Sequence, residues 1–180
     1  MQAVAHLIPD AADASATPFD ATAFRRALGR FPTGVTLLTA ADDGGPIGLL
    51  VNAFTSVSLE PPLVAVCPSR TSFTWSRMRT CDAFGVNVLG AEHADYVRRA
   101  ARPDADRFAG IDFKLSDLGV PHVSSATAFL DCQPVSEVPA GDHWIVVALV
   151  REVLAHQDRR PLVFSDGRLG SFTDLKERHR

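Results

Sequence analysis

Punctuation constrains this chain more tightly than composition does. Beyond residue 33, short apolar and β-branched runs alternate with clusters of Gly, Pro and Asp, and few stretches carry a helical period. Val35-Thr36-Leu37-Leu38-Thr39 is followed by Asp42-Asp43-Gly44-Gly45-Pro46 and then by an extended run over residues 47–54, the pattern of a hairpin. Leu63-Val64-Ala65-Val66-Cys67 follows Pro61-Pro62 and is apolar throughout, as in a strand covered on both faces. Further extended runs fall at residues 84–89, 126–135, 144–154 and 161–165, the last three separated by Pro139-Ala140-Gly141-Asp142 and His156-Gln157-Asp158. Many short strands with few helices predict a mainly β protein, closed or nearly closed into an antiparallel barrel.

The helical pieces are short. Asp20 is placed to cap a helix whose Phe24, Ala27, Leu28 and Phe31 share a face and which Gly29 and Pro32 end. Residues 72–79 predict a second helix, and residues 92–101 a third with Ala94, Val97 and Ala101 as its apolar positions. Residues 103–121 alternate charges with Phe108, Phe113 and Leu115 without a period and read as a long loop. Residues 1–18, rich in Ala, Asp, Ser and Thr, predict a disordered leader before one domain over residues 19–172 and a charged tail over 173–180.

Composition excludes several functions. Lys and Arg total 18 against 21 Asp and Glu, so no basic field is available to hold nucleic acid. The longest apolar run, residues 144–150, falls far short of the roughly 20 residues a membrane span needs. Cys67, Cys81 and Cys132 are odd in number, widely spaced and free of any CxxC, which fits small core residues in a reducing cytoplasm. His6, His93, His122, His143, His156 and His179 show no paired ligand spacing, so no metal site is expected, and no GxSxG elbow marks a hydrolase.

Three constellations carry possible chemistry. In Asn52-Ala53-Phe54-Thr55-Ser56-Val57-Ser58, strand alternation sends Ser56 and Ser58 to one face, either to bond a flat heterocycle or as a solvated Ser/Thr surface. Pro68-Ser69-Arg70-Thr71-Ser72 leads from a strand into a helix and is either a phosphate seat or a loop ended by an ordinary Ser72 cap. Gly141-Asp142-His143 puts an imidazole at the mouth of a strand, where it either meets a cofactor or stands in solvent; adjacent strand residues point to opposite faces, which argues against an Asp142–His143 relay.

These segments, with Phe24-Arg25-Arg26-Ala27-Leu28-Gly29-Arg30-Phe31-Pro32-Thr33-Gly34-Val35-Thr36 and Phe84-Gly85-Val86-Asn87-Val88-Leu89, resemble the short-chain flavin reductases of two-component monooxygenase systems. The resemblance implies a flavin-binding split β-barrel of Greek-key type acting as a homodimer. It implies oxidation of NADH (or NADPH), reduction of FAD (or FMN), and release of reduced flavin by diffusion to a monooxygenase component; the alternative is a non-catalytic flavin-binding split barrel. Carried over by position, the ring-contacting strand falls on Asn52, Phe54, Thr55, Ser56 and Ser58, and the phosphate loop on Ser69, Arg70, Ser72 and Phe73. Asn87 closes the pocket, Arg107 and Phe108 approach flavin or nucleotide from a loop, and His143 is the catalytic residue near the nicotinamide. Two stretches depart from the family pattern, Leu50-Val51 before Asn52 and residues 164–169.

Overall fold

The computed structural model describes residues 19–175; the leader expected at 1–18 and the end of the tail, 176–180, lie outside the described residues. Helix α1 (Ala21–Gly29) begins where Asp20 accepts the Ala23 N–H at 2.6 Å. None of its residues is buried, and Phe24, Leu28 and the following Phe31 stand 50%, 56% and 74% exposed.

The strands follow as β1 (Thr33–Gly34), β2 (Thr36–Asp42), β3 (Gly45–Val51), β4 (Phe54–Leu59), β5 (Pro62–Val66) and β6 (Phe84–Val88). Helix α2 (Phe73–Met78) separates β5 from β6, and a 3-10 turn (Ala91–His93) leads into α3 (Ala94–Ala100). Then come β7 (Phe113–Leu115), β8 (Pro121–Val123), β9 (Ala128–Ala140), β10 (His143–Ala155), β11 (Leu162–Ser165) and β12 (Arg168–Ser171). The main sheet has seven strands in the order β3-β2-β6-β9-β10-β5-β4, every pairing antiparallel, and a smaller sheet joins β1, β11 and β12. Because the outer strands β3 and β4 are consecutive in the chain, the sheet curls into a barrel around their link.

The expected hairpin forms: β2 and β3 pair from Thr36↔Val51 to Asp42↔Gly45, and Gly45 takes φ 101°, a conformation costly for any residue with a Cβ. Strand β2 is buried on both faces. Leu38 packs inside the barrel with Val66, Phe84, Val86 and Val146, plugged at one end by Trp75 and Met78 of α2. Leu37 packs outside it against Leu89, Tyr96, Val97 and Leu162.

Several expectations change. The 3-10 turn shifts the phase of the third helix, so Tyr96, Val97 and Ala100 are its buried residues, while Ala101 is the exposed C-cap. Residues 103–121 are not all loop, since β7 pairs with β8 from Phe113↔Val123 to Leu115↔Pro121. Strand β12 was not expected either. Three of its four residues are exposed, so no apolar alternation announces it.

His93 fixes the start of α3. Its Nδ1 accepts the Gly90 N–H at 3.0 Å, which puts the ring proton on Nε2, 2.8 Å from Ser125 Oγ. Burial pushes the imidazole below its ordinary value of 6.5, partly opposed by Glu92. A histidine that is neutral when folded binds fewer protons than when unfolded, so its contribution to stability shrinks as pH falls through 6.5 and below. The urea midpoint is therefore expected to drop more between pH 7 and pH 5 in the wild-type chain than in His93→Gln; equal drops would clear His93 of the effect.

Candidate functional site

Two of the sequence constellations form one site. The loop after β5 is stitched to the Gly141-Asp142 turn between β9 and β10: Ser69 bridges to His143, the Arg70 N–H donates to Asp142 O at 2.9 Å, and the Trp144 N–H donates to Pro68 O at 2.9 Å. Gly141 adopts φ 61°, as so tight a reversal requires. The Arg70 side chain closes the same contact, Nη1 donating to Gly141 O at 3.0 Å with its guanidinium 5.3 Å from the centroid of the Trp144 ring.

Within the loop, Ser69 Oγ and Thr71 Oγ1 lie 3.0 Å apart. Ser72 is an N-cap, its Oγ accepting the Trp75 N–H at 3.1 Å, and Phe73 is exposed on the first turn of α2. Arg70, Ser69 and Thr71 thus remain as the groups able to meet an anion.

The expectation against an Asp142–His143 contact is overturned, because His143 Nδ1 and Asp142 Oδ1 are 2.7 Å apart. Strand alternation does not apply, since Asp142 belongs to the turn and only His143 to β10. The hydrogen bond to His143, and then its charge, hold the Asp142 carboxyl below the usual carboxylate range. Engaging Nδ1 leaves His143 Nε2 as the ring atom facing outward chemistry.

The hydroxyl strand is also rearranged. Strand β4 pairs with β5 through Phe54↔Val66, Thr55↔Ala65 and Ser56↔Val64, but the register then shifts to Ser58↔Leu63. The extra residue, Val57, puts Ser56 on the side of Phe54 and Val64 and Ser58 on the opposite side with Thr55, so the two serines do not share a face. Phe54 still stands abreast of Val66 and Val146 on neighbouring strands, and the Cys67 N–H donates to Ala53 O at 3.1 Å. The Asn52-Ala53-Phe54 end of the motif therefore adjoins the Ser69-Arg70-Thr71 loop.

On the other side of Asn52 lies a cavity of about 720 Å³. Its walls include Leu50, Val51, Val97 and Phe164, with Arg98 and Arg168 among its lining residues. The two stretches that depart from the family pattern meet here. Arg168 carries no motif of its own and opens a short exposed strand without alternation, the Asp166-Gly167 turn before it being the one local signal.

Three expected site residues are not brought to this place. Arg107 turns its Nη1 onto the carbonyls of Arg102 and Ala105 at 3.3 and 2.7 Å, and Phe108 packs edge-on to Phe113 with centroids 5.0 Å apart. Their loop presses on β3 so closely that a Cβ added at Gly48 would sit 2.7 Å from Arg107 Cβ. Asn87 is buried in β6 with its side chain hydrogen-bonded within the protein. Its Nδ2 donates to Leu37 O at 3.1 Å and Thr39 Oγ1 at 3.0 Å, and its Oδ1 accepts the Val123 N–H at 2.7 Å.

Among the described residues no group of three or more His, Cys, Asp or Glu could hold a metal ion, and no helix is long and apolar enough to cross a membrane. The donor set does fit a phosphorylated aromatic cofactor: a guanidinium braced by backbone and indole, two adjacent hydroxyls, and an imidazole beyond them.

A mainly β antiparallel barrel with these motifs at one end defines a class, and residues 28–173 match the family model described as the flavin reductase like domain. The chain belongs to that family. It is 41% identical to a flavin reductase of Pseudomonas putida over 166 residues, 92% of this chain and 98% of that one. It is 40% identical to HsaB, the reductase subunit of a flavin-dependent monooxygenase of Rhodococcus jostii, over 85% of this chain and 78% of the relative. Its fold matches the NADH:FAD oxidoreductase SgcE6 of Streptomyces globisporus, solved with NAD and FAD fragments, with a TM-score of 0.82, 34% identity and coverage of 88% and 96%.

Replacing Asn87 by Ala strands a buried amide and two buried acceptors, so the unfolding free energy in urea is expected to fall by about 2–4 kcal/mol. Riboflavin affinity of the folded variant should match wild type. Weakened binding at unchanged stability would return Asn87 to the site.

Proposed function

We propose that this chain is an NAD(P)H:flavin oxidoreductase that reduces FAD or FMN and supplies the reduced flavin to a partner flavin-dependent monooxygenase. The observation that supports the reading is the stitching of the Ser69-Arg70-Thr71 loop to the Gly141-Asp142-His143 turn, with the Arg70 guanidinium and the His143 imidazole at the same end of the barrel. A purely flavin-binding barrel has no need of the second group, and relatives named as reductases favour the catalytic reading.

Bound flavin supplies the acceptor for the nicotinamide hydride, so the chain needs no nucleophile of its own. Its residues bind and orient. Arg70 and the Ser69 and Thr71 hydroxyls take the flavin phosphate, while the segment Asn52, Phe54, Thr55, Ser56 and Ser58 lines the ring, Thr55 and Ser58 from the face turned away from the barrel core and Phe54 and Ser56 from behind it. Ser72 and Phe73 shape the loop from its helical end. Asp142 fixes the His143 ring through Nδ1, leaving Nε2 to orient the nicotinamide or move a proton. NADH is the favoured donor, as in SgcE6, and FAD the favoured acceptor.

The chain works as a homodimer in the cytoplasm. The first part is supported by the apolar face of α1, where Phe24, Leu28 and Phe31 are uncovered within one chain, and the second by three free thiols. Sedimentation is expected to return twice the chain mass, and a Phe24→Glu, Leu28→Glu variant to return the single mass; a wild-type monomer would refute the dimer.

Anaerobic mixing with FAD or FMN and NADH or NADPH should bleach the flavin absorbance rapidly for one pairing. His143→Ala should slow bleaching while leaving flavin affinity nearly intact. Tight flavin binding without bleaching in wild type would favour the non-catalytic barrel.

A further inference from the structure

Two guanidinium groups share one indole. Arg70 lies 5.3 Å and Arg79 4.8 Å from the Trp144 ring centroid, so the two charges are separated by at most the sum of those distances. That is about one Debye length at 0.1 M salt, ~10 Å, close enough for Arg79 to act on any anion held by Arg70. Arg79 does not present its charge openly. Its Nη2 lies 2.6 Å from Glu137 Oε2, while Glu137 Oε1 accepts the indole N–H of buried Trp75 at 3.0 Å. Glu137, on β9, is thus fixed from two directions by residues of α2 and its C-cap.

Trp75 needs only an acceptor there, and a neutral amide oxygen would serve. Trp75 therefore does not need the negative charge, whose nearest cationic partner is Arg79. We infer that Glu137 is a positioning residue that neutralises Arg79, so that the phosphate seat offers a flavin one net cation instead of two. This rests on the reading of Arg70 as the phosphate ligand. A protein that hands reduced flavin to a partner must let it go, and a second unpaired guanidinium beside the seat would lengthen the residence of every phosphorylated flavin.

The test is a fluorescence titration of FMN and riboflavin into the full chain, for wild type, Glu137→Gln, Arg79→Gln, the double variant and Arg70→Ala. Glu137→Gln should tighten FMN roughly three- to tenfold, the scale of one charge at this range between protein-surface and bulk dielectric. Riboflavin affinity should not change, and the gain should shrink as salt is raised. Arg79→Gln leaves the Glu137 carboxylate unneutralised and should weaken FMN by a similar factor, with the double variant returning to wild type. The two single variants move in opposite directions, so loss of structure cannot mimic both, and Arg79→Gln leaves the Trp75–Glu137 bond in place.

Unchanged or weaker FMN binding in Glu137→Gln, an equal gain for riboflavin, or a gain that survives in the double variant would overturn the inference. Arg70→Ala separates the layers. If it abolishes the preference for FMN over riboflavin while Glu137→Gln is neutral, only the role of Glu137 falls; if it leaves the preference intact, the phosphate reading falls and takes this inference with it.

Discussion

Asn52 and Ala53 alone separate β3 from β4, and the rest of the barrel accommodates that link. A two-residue connection spans no more than about 11 Å between flanking Cα atoms. The outer strands of a flat seven-stranded sheet would stand about 29 Å apart. Closure is therefore imposed by the chain, and the hydrophobic interior of Leu38, Val66, Phe84 and Val146 fills what closure creates. The seam also fixes where function can sit. Ala53 accepts the Cys67 N–H, which draws the loop after β5 to the link, and that loop in turn holds the β9–β10 turn.

The arginines of this half of the barrel are held in two different ways. Arg70 is braced by the Gly141 carbonyl and by Trp144, neither of which reduces its charge, whereas Arg79 and Arg77 meet carboxylates, Glu137 and Asp42. The contrast distinguishes a guanidinium left to meet a ligand from two spent on the fold. Asp142, a turn carboxylate, engages Nδ1 of His143 and leaves Nε2 as the other ring nitrogen.

What the sequence revealed tracks how local each cause is. The Asp42–Pro46 turn, the Asp20 and Ser72 caps and the doubly covered β5 were legible because neighbouring residues determine them. The Pro68–Ser72 loop and the Gly141-Asp142-His143 turn were legible singly, but their union rests on backbone bonds between distant segments. The opposite facing of Ser56 and Ser58 comes from one unpaired residue, Val57, which no hydroxyl pattern betrays. Asn87 was ambiguous, since an asparagine in an apolar strand looks the same whether its partner is a ligand or a carbonyl. Its partners, on β2 and at Val123, become neighbours only when the sheet assembles. Strands β7 and β12 were hidden by exposure, which removes the alternation that marks a strand.

Strand β2 raises a question of uniqueness. Leu37 and Leu38 are both fully buried, one on each face, so sliding the strand by one residue would exchange leucine for leucine and cost little in hydrophobic terms. The choice of register falls to the few polar atoms set into that apolar wall: Thr36 Oγ1 donating to Val51 O, Thr39 Oγ1 donating to Pro121 O, and the Asn87 amide reaching Leu37 O and Thr39. Each has one geometry in which it is satisfied, and a slipped strand would strand them all in a dry interior. A redesign that replaced them with leucine and valine would make the barrel more hydrophobic and less singular, trading one native arrangement for several of nearly equal energy.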